Sequence, residues 1–226
     1  MSKPTFVLRT LAVFVLVLSL GSCKSHYLST QKSATLLDIA AEPDEQAFVN
    51  LQNYSRDFVL DMRYATPQNF LKEKVYPCET CFLRVKTVKS LLAANQSFLS
   101  KGYRIKIYDC YRPLSIQKKM WKIVPDANYV ANPKRGSIHN RGGAVDISLV
   151  DANGVELDMG TPFDFFGKEA SHLYESLSDT IKANRLFLKE TMLQHEFKSF
   201  DSEWWHYNLN TGSSDPVSNL KWRCED

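Results

Sequence analysis

The run Ser137-Ile138-His139-Asn140-Arg141-Gly142-Gly143-Ala144-Val145-Asp146 restricts what this chain can fold into more than any other stretch. It sets a histidine, two adjacent glycines and an acid at the head of a strand-like pattern. Val145, Ile147 and Leu149 alternate with Ala144, Asp146 and Ser148, the period-two signature of a half-buried strand. Asp146 is therefore expected on the face opposite the branched apolar side chains. The paired glycines permit a tight backbone that returns His139 toward Asp146, because glycine tolerates dihedrals closed to other residues. A histidine and a carboxylate converging in this way supply two of the three protein ligands of a catalytic zinc site. The run Ser202-Glu203-Trp204-Trp205-His206-Tyr207-Asn208-Leu209 offers the third. Trp205, Tyr207 and Leu209 share one parity there, and His206 shares the other with Trp204 and Asn208. Asp146 and His206 are thus expected on the polar face of one sheet. Glu203, three residues ahead of His206, suits a base beside the metal rather than a ligand to it.

Around these two runs the chain reads in order. Residues 1–22 have the form of a signal peptide: Lys3 and Arg9 precede a short apolar run, Leu11 to Leu20, too short to span a bilayer. The run ends Leu20-Gly21-Ser22-Cys23, which resembles a bacterial lipobox, so Cys23 is the expected lipidation site. Residues 23–45 read as a polar tether, and 46–226 as one domain with a single sizeable core. A net charge of +3, spread without clusters, argues against nucleic acid as a partner. Cys78, Cys81, Cys110 and Cys224 remain after Cys23; an even count in an exported chain points to disulfides, with three pairings open. A bridge at Cys110 would brace the nearby Arg112 loop.

Strands are expected at Phe58–Arg63, Tyr103–Tyr108, Ala144–Leu149, Val155–Leu157 and around Trp205. Helices are expected from Phe82 to Ser100, Leu114 to Val124, and about Lys168 to Gln194. This order gives an α+β domain with a mainly antiparallel central sheet flanked by helices. His172 and His195 fall in helical stretches as surface or capping residues, while Trp204 and Trp205 read as core or pocket wall.

His139-x6-Asp146 with Glu203-x-x-His206 resembles the metal-binding signature of the zinc D-Ala-D-Ala peptidases of the M15 group. The dipeptidases of that group are the closest likeness. Asp61-Met62-Arg63-Tyr64-Ala65-Thr66 with Asn69-Phe70, Tyr111-Arg112-Pro113, Met159-Gly160, Phe163-Asp164-Phe165 and Glu203-Trp204-Trp205-His206-Tyr207 carry the resemblance from about Asp61 to Asn208. It implies a hedgehog/DD-peptidase-like fold and one zinc ion held by His139, Asp146 and His206. It also implies Glu203 as general base and acid, Arg112 as stabiliser of the oxyanion, and Asp164 and Ser137 as substrate-binding residues. The implied substrate is the free dipeptide D-Ala-D-Ala in the cell envelope, with the membrane reached through a lipid anchor. Two other readings use the same residues: a D,D- or L,D-carboxypeptidase acting on peptidoglycan stem peptides, and a non-catalytic zinc-binding module of the same fold. The sequence leaves the oligomeric state open.

Overall fold

The computed structural model describes residues 44–127 and 129–224, together with the backbone of a two-residue strand at 27–28. The expected signal peptide, Cys23 and most of the expected tether lie outside the described residues. Strands β1 (Tyr27–Leu28), β2 (Phe48–Asn50) and β3 (Val59–Leu60) are followed by β4 (Phe82–Arg84), helix α1 (Val85–Leu99) and β5 (Arg104–Asp109). Then come α2 (Leu114–Ile123), β6 (Ala144–Val150), α3 (Asp179–Gln194), the hairpin β7 (Phe197–Phe200) and β8 (Glu203–Leu209), and β9 (Lys221–Trp222). Five strands form the main sheet in the order β3-β5-β6-β8-β7. Its β3–β5 pair is parallel and its other three pairs are antiparallel, as expected of the α+β class. The pairs β2–β4 and β1–β9 lie apart from it, so part of the expected tether joins the domain's last strand in parallel.

Helix α1 buries Val85, Val88, Leu91, Leu92 and Phe98 at helical spacing, and Asn95 Oδ1 accepts from the Ile105 N–H (3.0 Å), tying the helix to β5. It ends at Leu99, and the chain turns away at Gly102, whose φ of +82° is open to glycine at no steric cost. Its start is later than the apolar spacing suggests. Phe82, Leu83 and Arg84 pair with β2 instead, beside the disulfide Cys81–Cys110. The other bridge is Cys78–Cys224, which resolves the three possible pairings.

Four more elements depart from the sequence reading, the first being the strand expected at Val155–Leu157, which is reduced to a single bridge between Glu156 and Val150 as the chain leaves the turn after Asp151. The expected strand Phe58–Arg63 is cut to β3 because the chain turns into a 3₁₀ helix at Arg63–Ala65. The helix expected from Lys168 starts only at Asp179, with Ser178 Oγ accepting from the Ile181 N–H (3.3 Å) as its cap. Upstream of the cap, the buried guanidinium of Arg185 donates to the carbonyls of Met159 (2.7 Å), Glu169 (2.9 Å) and Ser171 (2.9 Å). This fork holds segment 159–171 in an irregular path. Finally, β6 is buried on both faces, not half-exposed, with Asp146 on its polar side bordering a cavity.

His172 lies in the irregular segment rather than a helix. Burial, with help from Lys189 and Arg185 and against Asp201, pushes its imidazole down to about 4. His195 caps the end of α3 and bonds Ser97 Oγ at 2.8 Å.

The Cys81–Cys110 bridge spans a sequence separation of 29. A loop of that length constrains the unfolded chain by about 3–4 kcal/mol. The double variant Cys81→Ala/Cys110→Ala should lose about that much stability in urea unfolding. A loss below about 1 kcal/mol would show that the bridge restrains little in the unfolded state.

Candidate metal centre

His139, Asp146 and His206 reach one point from three elements. His139 opens a 3₁₀ turn, His139–Arg141, closed by Gly142 at φ +71°. A Cβ on Gly142 would lie 2.4 Å from the Phe48 ring, so the turn needs glycine on both counts. The turn is fastened to the Arg112 loop by Arg112 N–H donating to the His139 carbonyl (3.1 Å) and Asn140 Nδ2 donating to the Arg112 carbonyl (2.7 Å). Asp146 and His206 face each other as direct partners across β6 and β8.

The possible ligand atoms of the three residues lie within 4.8 Å of one another. Asp146 Oδ1 is 3.3 Å from His139 Nε2 and 2.9 Å from His206 Nδ1, and the two histidine nitrogens are 3.1 Å apart. Each imidazole has its other nitrogen engaged. His139 Nδ1 meets the Cys110 carbonyl at 2.7 Å, which can only accept, so Nδ1 carries the proton and Nε2 keeps its lone pair. His206 Nε2 meets Asn208 Oδ1 at 2.9 Å, which leaves Nδ1 as the ligand atom. Two imidazole nitrogens and one carboxylate oxygen, with both tautomers preset, fit a divalent cation that retains an open position.

The same cavity, about 280 Å³, is lined by Tyr64, Arg112, Ser137, Asp164, Glu203 and Trp205. The seven residues expected as metal ligands, catalytic groups or substrate contacts therefore all border one space. Glu203 Oε2 lies 4.0 Å from His206 Nδ1. Three residues apart on a flat strand, these two would face opposite ways. A register shift resolves this: Ser199 pairs with Tyr207 but Phe200 pairs with Glu203, so residues 204–206 bulge away from β7. The bulge also revises the tryptophans. Trp205 borders the cavity, whereas Trp204 is buried with Nε1 donating to Thr161 Oγ1 (2.8 Å).

Burial holds both free carboxylates high. Glu203 is pushed up to about 7 by burial and by Asp146 and Asp164, against the pull of His206. Asp164 is likewise pushed up to about 7 by burial and Asp146, against a hydrogen bond from Tyr64 Oη (2.7 Å). Asp146 resists its own burial and stays well below the carboxylate range because His139 and His206 flank it. Asp164 sits in the left-handed region at φ +59°, on the segment that Arg185 clamps.

Several supporting residues escaped the sequence reading. Asp109 is fully buried; its Oδ2 accepts from Arg112 Nη2 (2.6 Å) and Nε (3.1 Å), and its Oδ1 accepts from Tyr76 Oη (2.7 Å). Gln117 Oε1 accepts from Arg112 Nη1 (2.9 Å), and the Arg112 guanidinium stacks over the Tyr64 ring at 5.2 Å. Spacing offered a signal for two of them: Asp109 stands three before Arg112, and Asn208 shares the parity of His206. Ser137 Oγ accepts from the Asn140 N–H (3.3 Å), which ties that serine into the His139 turn.

Asn208→Leu removes the acceptor that fixes the His206 tautomer and leaves all three ligands in place. Its affinity for a divalent cation should fall about 10–100-fold in chelator competition. Unchanged affinity would mean that Asn208 does not orient the imidazole.

Comparison with known proteins identifies the family. The peptidase M15 family described as D-ala-D-ala dipeptidase matches residues 44–220. The chain is 33% identical over 182 residues to a D-alanyl-D-alanine dipeptidase of Escherichia coli (strain K12), covering 80% of this chain and 94% of that protein. A D-alanyl-D-alanine dipeptidase of Enterococcus faecium is 30% identical over 170 residues, covering 66% and 84%. Among solved structures, the LdcB LD-carboxypeptidase is a looser likeness, with a TM-score of 0.36 at 15% identity over 66% of this chain and 70% of that one. The chain belongs to the D-Ala-D-Ala dipeptidase family, peptidase M15.

Proposed function

We propose that this protein is a zinc peptidase that hydrolyses the free dipeptide D-Ala-D-Ala in the bacterial cell envelope, where an acylated Cys23 anchors it to a membrane. The observation that carries this reading is one small cavity holding His139, Asp146, His206, Glu203, Arg112 and Asp164 together. At about 280 Å³ it falls at or below the lower end of ligand pockets, which run from about 300 to 1,000 Å³. That suits a dipeptide better than a length of peptide chain.

His139, Asp146 and His206 would hold the zinc ion. When bound, the ion supplies Lewis-acid chemistry, polarising the scissile carbonyl and making water a competent nucleophile near neutral pH. Glu203 takes the proton from the attacking water and passes it to the nitrogen of the departing D-alanine, so the carboxylate is restored at the end of each turnover. Arg112 faces the negative charge that develops on the carbonyl oxygen. Its guanidinium is held beforehand by Asp109, Gln117 and Tyr64, so little reorganisation accompanies the reaction. Asp164 pairs with the substrate ammonium. A blocked N-terminus would leave that buried carboxylate without a cation, which disfavours acylated peptides.

Purified wild type should hydrolyse free D-Ala-D-Ala at least about 100-fold faster, in kcat/KM, than its N-acetyl derivative. Glu203→Gln should keep its zinc while kcat falls about 100- to 10,000-fold. Equal cleavage of free and acetylated substrates would favour the carboxypeptidase reading. Equal inertness of wild type and variant toward D,D-dipeptides would favour a binding module.

A further inference from the structure

We infer that Phe166 and Tyr129 form a single-layer end wall that fixes the length of the substrate; this rests on the dipeptidase reading above. The wall starts where a substrate's amino end would lie. Tyr64, which donates to Asp164, packs edge-on to Phe70 (ring centroids 6.1 Å apart). Phe70 packs against Phe166 (5.1 Å), and Phe166 against Tyr129 (4.7 Å). All four rings border the cavity.

The last contact joins two segments that are distant in sequence. Phe166 belongs to the irregular stretch held by Arg185, only two residues beyond Asp164. Tyr129 belongs to the loop after α2, and Gln117 Nε2 fastens that loop by donating to the Ala131 carbonyl (2.8 Å). The same Gln117 holds Arg112, so the wall and the guanidinium share one support.

Phe166 and Tyr129 border the cavity yet remain 38% and 44% exposed, so no second layer of described residues covers them. With Phe70 they line the flank of the cavity that is reached from Asp164 through Tyr64. A residue added to the substrate's amino end would have to pass through them.

Two devices could therefore limit length: the charge of Asp164, which asks for an ammonium, and the wall, which leaves no room beyond it. The wall is decisive if opening it admits a longer peptide while Asp164 is unchanged. The test compares kcat/KM for D-Ala-D-Ala and for L-Ala-D-Ala-D-Ala cleaved at its last bond, in wild type, Tyr129→Ala/Phe166→Ala and Asp164→Asn. The wall variant should raise the tripeptide-to-dipeptide ratio by at least about tenfold. Asp164→Asn should lose dipeptide activity without gaining on the tripeptide. Zinc content and thermal unfolding report whether each variant is folded. If the double variant is not, Tyr129→Ala alone carries the test, with a rise of about threefold or more.

An unchanged ratio in folded wall variants that still cleave the dipeptide would overturn the wall and leave the dipeptidase reading standing. A tripeptide gain in Asp164→Asn that equals the wall variant's would also overturn it, because charge would then set the length. A wild type inert on the dipeptide would sink both readings.

Discussion

The pairing of Asp146 with His206 across two adjacent strands is the contact on which the rest of the site depends. Directly opposed residues on one face of an antiparallel pair are close enough to share an ion without any loop having to bend. The pairing is dictated by the core: Val145, Ile147 and Leu149 on one strand and Tyr207 and Leu209 on the other are buried, and a slip of one residue would turn one strand's set out of the core onto the opposite face. Hydrophobic registration thus fixes two ligands. Only His139 comes from a turn, and that turn is tied to the Arg112 loop, to Cys110 and to the glycine pair.

Charge accounts for what the cavity would accept. Asp146, Asp164 and Glu203 border it, while the one guanidinium lining it among the described residues, Arg112, is already matched by Asp109. Carboxylates gathered in a buried space repel one another and lose hydration, which is why Glu203 and Asp164 are both pushed up to about 7. A divalent cation at the cluster and an ammonium beside Asp164 are the two additions that offset this excess. Under the proposed function, the demand for metal and the demand for a free amino terminus have one electrostatic origin.

Much of this was legible in the sequence because it rests on parity and spacing. The strand around Asp146, the shared face with His206, the mainly antiparallel sheet and the α+β class follow from period-two alternation and element order. What escaped depends on contacts between distant residues. No local pattern announces that Arg185 draws three carbonyls out of a helix, or that a bulge at 204–206 turns Glu203 and Trp205 toward His206. The short strand β7 escaped because four residues at a sheet edge carry too little alternation to separate from the end of a helix. Disulfide pairing was undecidable in one dimension, since Cys78 and Cys81 lie three apart yet bond to partners at sequence separations of 146 and 29.

The central claim is that two imidazoles and one carboxylate from three separate elements converge on one divalent cation. X-ray absorption at the zinc edge on the reconstituted protein tests it most directly. The account predicts one zinc per chain, two imidazole nitrogens at about 2.0–2.1 Å, oxygen in the remaining positions and no sulfur. It also predicts that the imidazole signal halves in His206→Ala. A sulfur shell, or a spectrum and stoichiometry unchanged in His206→Ala, would contradict it.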